Sequence, residues 1–188
     1  MTQTNASNDA VLYALTLGFS SDPIMRWIYP DPGTYLTAFP QVLRLFGGAA
    51  FTGDTAFLSD DHRAAAMWLA PGAHPDEDGL TAHLEATLPE HVLGDAFKMF
   101  EAMDKLHPSD PCWHLAFVAT DPSARGCGLA SALIERGLKR CDADGRIAYL
   151  ENTNPNNVGL YRRHGCELLG EINVGDAPSL FCMLREPR

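Results

Sequence analysis

The sequence predicts a single α/β domain built on a mixed, mostly antiparallel sheet flanked by helices. Three observations carry that reading. A β-type run from Trp113 to Thr120 ends at Asp121-Pro122 and passes through a Gly-x-Gly turn into an amphipathic helix. The chain from there onward reads β-α-β-α-β-β, closing on an antiparallel pair. At 188 residues and 46% hydrophobic content, one domain with a sizeable core is the default.

The elements follow in chain order. Residues 1–8 read as a loose, polar N-terminus. Val11, Leu15, Gly18 and Phe19 then share one face of a short helix. Ser20-Ser-Asp-Pro23 is a turn or a new N-cap, and Ile24 to Tyr29 supplies a helical turn or two before Pro30-Asp-Pro-Gly33 breaks it. Tyr35 to Phe46 reads as helix, kinked or divided at Pro40. Thr55–Ser59 and Arg63–Leu69, joined by Asp60-Asp-His62, form a hairpin despite the weak strand propensity of alanine. Pro71 to Gly79 is a polar loop, and residues 80–106 form two helices split at Pro89.

In the strand 113–120, alternation sends Trp113, Leu115, Phe117 and Ala119 to one face and His114, Ala116, Val118 and Thr120 to the other. The helix beyond it presents Ala130, Leu133, Ile134, Gly137, Leu138 and Cys141 on one apolar face. Ile147 to Glu151 is a strand. A helix begins at Asn154, with Pro155 suited to its first position, and stops near Gly165. Cys166–Asn173 and Ser179–Leu184 make the closing pair.

Composition narrows the function. A formal net charge of −10 argues against a nucleic-acid partner and suits a soluble protein. No apolar run is long enough to span a bilayer, and Met1 to Asn8 lacks the pattern of a signal peptide, so a cytoplasmic location is expected. The five cysteines are widely spaced with no C-x-x-C, and the seven histidines show no ligand spacing. Reduced, packed thiols and no metal site are expected. Oligomeric state stays open, a homodimer included.

The chemistry concentrates in two segments. In Val118-Ala-Thr-Asp-Pro-Ser-Ala-Arg-Gly-Cys-Gly-Leu-Ala130, a strand bends through Gly126 and Gly128 into a helix N-terminus. Free backbone N–H groups there suit a phosphate-bearing ligand, and the helix dipole adds ~0.3–1 kcal/mol of preference for negative charge. Arg125 is placed to pair with a phosphate; a plain tight turn carrying an exposed arginine is the alternative. The second segment is Asn154-Pro-Asn-Asn-Val-Gly-Leu-Tyr-Arg-Arg-His-Gly165.

Together these segments resemble the GNAT superfamily of N-acetyltransferases. Ser123-Ala-Arg-Gly126-Cys-Gly128 is similar to its Gln/Arg-x-x-Gly-x-Gly/Ala motif, with Ser123 departing at the first position. Asn154 to Gly165 is similar to Asn-x-x-Ala-Ile-x-Leu-Tyr-x-x-x-Gly-Phe, with Asn157 and Cys166 departing. Tyr149-Leu-Glu-Asn-Thr-Asn-Pro-Asn-Asn-Val and Pro111-Cys-Trp-His-Leu look most like the puromycin N-acetyltransferase branch. The resemblance covers residues 108–188 and is faint before them.

The resemblance implies acetyl-CoA as cosubstrate and a primary amine, most simply a small molecule, as acceptor. It makes 111–188 the acetyl-CoA-binding core and 9–110 the acceptor side. Val118, Ala119 and Thr120 would meet the pantetheine arm through their main chain. The N–H groups from Arg125 through Gly126, Cys127, Gly128, Leu129 and Ala130 would meet the pyrophosphate. Asn154 would contact the cofactor arm, and Tyr161 would stand beside the thioester sulfur. The opening strand of the family could come only from Met1 to Asn8 and is expected to be short or missing.

Direct attack by an amine needs an oxyanion donor, an acid for the leaving thiolate and a base for the amine. A main-chain N–H in 118–120 suits the first need. Tyr161 suits the second, since a phenol stays protonated at neutral pH; a core aromatic is its alternative. Glu151, at a strand end, suits the third, either as base or as a structural hydrogen-bond acceptor. His114 has a fitting intrinsic range but lies at the start of its strand, far from the expected thioester. Two other readings compete. One is an acyl-CoA-binding sensor or scaffold without catalysis. The other is a dinucleotide turn, Gly126-x-Gly128-x-x-Ser131 with Glu151 gripping a ribose, which lacks a third glycine and has only ~60 residues left for further βαβ units.

Overall fold

In the computed structural model, which describes residues 5–188, every strand joins one sheet. The chain runs α1 (Asn5–Gly18), α2 (Pro23–Ile28), α3 (Pro32–Gly47), α4 (Ala49–Thr52), β1 (Ala56–Leu58), β2 (Ala64–Leu69), α5 (Glu77–Thr87), α6 (Glu90–Leu106) and β3 (Trp113–Thr120). It continues through α7 (Leu129–Ala143), β4 (Ala148–Asn152), α8 (Val158–Arg163), β5 (Glu167–Ile172) and β6 (Leu180–Arg185). The strand order is β1-β2-β3-β4-β6-β5. Every neighbouring pair is antiparallel except β3 with β4. The expected mixed, mostly antiparallel sheet is therefore present.

Helices cover both faces. On one face α1, α2, α3, α5 and α6 bury Leu15, Ile24, Phe39, Leu43, Leu84 and Met99 against Ala65, Met67, Leu69 and Tyr149. On the other, α7 and α8 bury Ile134, Leu138 and Tyr161 against Ala64, Ala66, Trp68, Leu115 and Leu150. This explains the alanine run of β2, which is buried along its whole length. Methyl side chains let helices on opposite faces lie close to the same strand, and that packing outweighs alanine's strand propensity.

Local chemistry sets the ends. The Asp22 side chain accepts from the N–H groups of Ile24 and Met25 and caps α2. Asp31 caps α3 through the Thr34 N–H, at 2.7 Å. Arg185 on β6 grips Asp142 on α7 with both Nη atoms, at 2.7 and 3.0 Å, while its Nε donates to the His164 carbonyl after α8. The end of the sheet, α7 and α8 are thereby tied together.

Three expectations need correction. The N-terminus is helical from Asn5, not loose to residue 8, because Val11, Leu12, Ala14 and Leu15 dock the helix on the sheet. The opening strand, expected to be short or missing, has no counterpart among the described residues, and Met1 to Thr4 lie outside them. The α3 helix runs through Pro40 in one piece, since Phe39 and Leu43 are fully buried and hold it to the core. The α5 helix starts at Glu77, inside the expected loop, where Asp76 caps it through the Gly79 N–H.

The fourth correction concerns β3. Trp113 and Leu115 face α7 as expected, but Phe117 and Ala119 pack on the opposite face and Val118 returns to the α7 side. The pairing register explains it. Trp68 lies opposite Leu115 and Met67 opposite Phe117, so Ala116 is an extra residue without a partner on β2. One added residue exchanges the two faces of everything beyond it.

Gly137 marks the closest helix approach on the α7 face. A Cβ there would overlap the indole of Trp68. Gly137→Ala is expected to lower stability by about 1–3 kcal/mol through overpacking, despite alanine's better helix propensity. Gly94→Ala in α6, where a Cβ meets nothing within 4 Å, is expected to raise stability by about 0.4–1 kcal/mol. Urea unfolding of both variants checks the contrast.

Candidate active site

The only parallel pair in the sheet is also its shortest contact. β3 and β4 pair at Trp113 with Ala148 and at His114 with Tyr149, and then part. Beyond that point the edge of β3 that faces away from β2 has no strand partner. A cavity of about 680 Å³ opens in the gap. Its walls are Leu115 to Thr120 of β3, Glu151 to Asn154 at the end of β4, the start of α7, Tyr161 of α8, and the turn from Gly18 to Met25.

At the end of β3 the chain forms a vacant cradle. Gly126 and Gly128 have φ of +80° and +81°, and a Cβ on either would meet nothing within 4 Å. Those angles belong to the left-handed region that glycine enters without cost. No side chain caps α7, whose first-turn N–H groups point out beyond Gly128. An uncapped helix N-terminus behind two open glycines, on the rim of a cavity, is the arrangement a diphosphate needs. The loop itself is held from below. Ser123 Oγ donates to Asp121 Oδ1 at 2.5 Å and accepts from Arg63 Nη2 at 2.6 Å. Ser123 therefore serves the loop's own geometry. Ser131 Oγ, in the first turn of α7, lies 2.7 Å from His164 Nε2 and fixes that turn to the end of α8.

Two carboxylates and a phenol face the cavity. Glu151 Oε2 lies 2.7 Å from His114 Nε2, and both side chains are about nine-tenths buried. Burial alone would push the Glu151 carboxyl up; the His114 imidazole and its hydrogen bond outweigh it and hold the carboxyl below its usual range. Tyr161 is almost wholly buried, and burial pushes its phenol above the usual tyrosine range, so it stays protonated. Asp22 takes 2.5 Å and 3.0 Å hydrogen bonds from Thr153 Oγ1 and the Ile24 N–H. Burial nonetheless pushes its carboxyl up, against the lowering effect of those donors and of Arg125.

The structure brings together Val118, Ala119, Thr120, Arg125, Gly126, Gly128, Leu129, Ala130, Glu151, Asn154 and Tyr161 around one cavity. Cys127 is not among its lining residues. Its side chain is exposed beside the Arg125 carbonyl, so only its backbone belongs to the loop. Arg125 lines the cavity, but its Nη2 is held by the Gly18 carbonyl at 3.0 Å and Ser21 Oγ at 3.2 Å. The Asn154 side-chain oxygen is also engaged, accepting from the Asn156 N–H in the turn before α8. His114 has a contact that the sequence did not show. It does sit at the start of β3, yet its side chain reaches the carboxylate that faces the cavity.

Asp22, Thr153 and Arg163 were not anticipated as lining residues. Asp22 had a visible signal, the Ser-Asp-Pro cap, but its partner lies 131 residues away. Among the described residues no group of three or more potential metal ligands occurs, and no helix is long and apolar enough to cross a membrane.

Comparison with known proteins agrees with this fold. The model of the acetyltransferase (GNAT) family matches residues 51–166. A protein of Corynebacterium glutamicum described as histone acetyltransferase HPA2 and related acetyltransferase is 26% identical, with a TM-score of 0.68 over 100% of this chain and 95% of that one. A polyamine N-acetyltransferase of Drosophila melanogaster that forms N-acetylagmatine is 15% identical, with a TM-score of 0.70 over 96% of this chain and 95% of that one. Arylalkylamine N-acetyltransferase 2 of Aedes aegypti is 15% identical, with a TM-score of 0.63 over 100% and 98%.

A side chain at Gly126 is expected to fill the cradle and to strain the loop by about 1–3 kcal/mol. Gly126→Val should lose affinity for a diphosphate-bearing nucleotide tenfold or more, about 1.4 kcal/mol, while far-UV circular dichroism stays that of the parent. Calorimetric titration of both proteins checks it.

Proposed function

The chain belongs to the acetyltransferase (GNAT) family, and on that premise we propose that it transfers an acetyl group from acetyl-CoA to a primary amine by direct attack in a ternary complex. The observation that carries the reading is the convergence on one cavity of an open glycine cradle, the unpaired edge of β3, a protonated phenol and an ionised carboxylate.

The roles follow from chemistry and position. The N–H groups from Gly126 to Ala130 take the diphosphate. The unpaired main chain of Val118 to Thr120 takes the amides of the pantetheine arm, and one of its N–H groups faces the developing oxyanion, an interaction worth about 2.7–4 kcal/mol in acyl transfer. Glu151 removes the amine proton, directly or through one water, and Tyr161 gives its proton to the departing sulfur. Asp22 and Glu151 together place negative charge where a protonated amine arrives. The acceptor side falls to the turn from Gly18 to Met25, in the region of the chain where the family resemblance is faint. A small-molecule amine suits a cavity of this size.

The dinucleotide reading loses its support. Only one of the five strand pairings is parallel, whereas that fold needs a run of parallel strands. A sensor without catalysis has no observation in its favour beyond the departures at Ser123 and Asn157, and Ser123 has its own place in the loop.

Free-thiol release from acetyl-CoA over a panel of amines tests the activity. Tyr161→Phe, which keeps the ring and removes the proton, is expected to lower kcat about 10²-fold or more with acetyl-CoA binding unchanged. An equal kcat would remove Tyr161 from the reaction.

A further inference from the structure

We propose that His114 is the positioning residue for Glu151, clamping one carboxylate oxygen so that the other is turned into the cavity toward the acceptor amine. This rests on the reading of Glu151 as the base.

The geometry has a direction. His114 pairs with Tyr149 in the parallel register, and Glu151 lies two residues further along β4, on the same face. Glu151 lines the cavity; His114 stands behind it, outside the lining. The contact runs from His114 Nε2 to Glu151 Oε2 at 2.7 Å. His114 makes the one hydrogen bond to the Glu151 carboxylate within ordinary distance among the described residues, with the Tyr149 hydroxyl close by, and Glu151 lines the cavity.

The imidazole is itself fixed. Phe46 of α3 lies edge-on at 5.8 Å, His107 at the end of α6 at 5.7 Å, and Tyr149 of β4 at 5.6 Å between ring centroids. Three elements thus restrict one ring, which a hydrogen bond alone would not do.

Stability does not account for the pair. Taking a carboxylate and its imidazole partner out of water costs about what their attraction returns, and apolar residues of similar size commonly do as well or better. An interior already built from alanine, leucine and aromatic side chains has no structural need for a carboxylate in it. What the pair does supply is a charged oxygen held in a defined place.

The neighbourhood keeps the charge on Glu151. The titratable groups packed around it are His107, Cys112, Tyr149 and Cys182, besides His114. Burial pushes Cys112 up to about 11 and raises Cys182 and Tyr149, so these three remain neutral. In the step itself the proton leaves the amine nitrogen for Glu151 Oε1, while the His114 N–H stays on Oε2. No further reactant is required.

The test uses the full chain with ¹³C-labelled glutamate. In His114→Ala, the Glu151 carboxyl is expected to titrate about one pH unit or more higher, since a buried carboxyl has lost its opposite charge and donor. Because the base works ionised, the acid limb of kcat/KM should move up by the same amount, with KM for acetyl-CoA unchanged. His114→Gln, whose amide N–H reaches toward the same oxygen, should recover part of the shift. Should His114→Ala unfold, His114→Phe keeps the packing, lacks the donor and takes its place. An unchanged Glu151 titration in a folded variant overturns the proposal. If the parent chain acetylates no amine, the proposed activity fails separately, and the carboxyl titration still decides whether His114 governs Glu151.

Discussion

Backbone groups inside a sheet need partners, and on the β4 side of β3 they lose them after His114. Leaving a buried donor or acceptor unmade costs about 1–3 kcal/mol, so such a gap persists only where water or a ligand fills it. Here it is built in twice over. β4 turns away after two paired residues, and the extra residue at Ala116 reverses the faces of β3 in the same place. The strand thus stays stitched to β2 on one edge while offering its other edge to the cavity. Phe117 and Ala119, moved to the helical face by the bulge, pack there with Phe19 and Phe39. The irregularity that makes the site also seals the core beneath it.

The glycine turn and the helix start behind it were legible in the sequence because their determinants are local. A strand, two glycines and a helix start are adjacent in the chain, and backbone geometry does the rest. The hairpin, both closing strands and the split at Pro89 were legible for the same reason. What was hidden depends on pairing. Nothing in Trp113 to Thr120 marks Ala116 as surplus; only the register against Met67 and Trp68 does. His114 looked remote from the chemistry because distance along its own strand was the only ruler available. The parallel register beside Tyr149 is what sets it two residues from Glu151 in space. Pro40 and the start of α1 were misjudged where burial of neighbouring side chains overrode local preference.

The two sides of the cavity differ in kind. The glycine cradle is main chain, indifferent to most side chains, and it carries the family resemblance. The opposite wall is made of side chains on the turn after α1, with Asp22 reaching across to Thr153 and Arg125 reaching back to Gly18 and Ser21. Family membership reaches the transferase chemistry, while the proposed acceptor side falls to that turn. Fold and family do not fix specificity, and a 26% identical structure over the whole chain speaks to architecture more than to acceptor.

Those crossing contacts also say when the cavity can exist. They join residues 104 to 131 positions apart, and loops of that length close late relative to hairpins and single helices. During synthesis the Asp22 bridge cannot close until residue 153 has been released, although α1 already has β2 and β3 to pack on. A chain that ends before β4 can hold the β1–β2 hairpin and the α7 helix, but it lacks the cavity wall made by Glu151 to Asn154 and Tyr161.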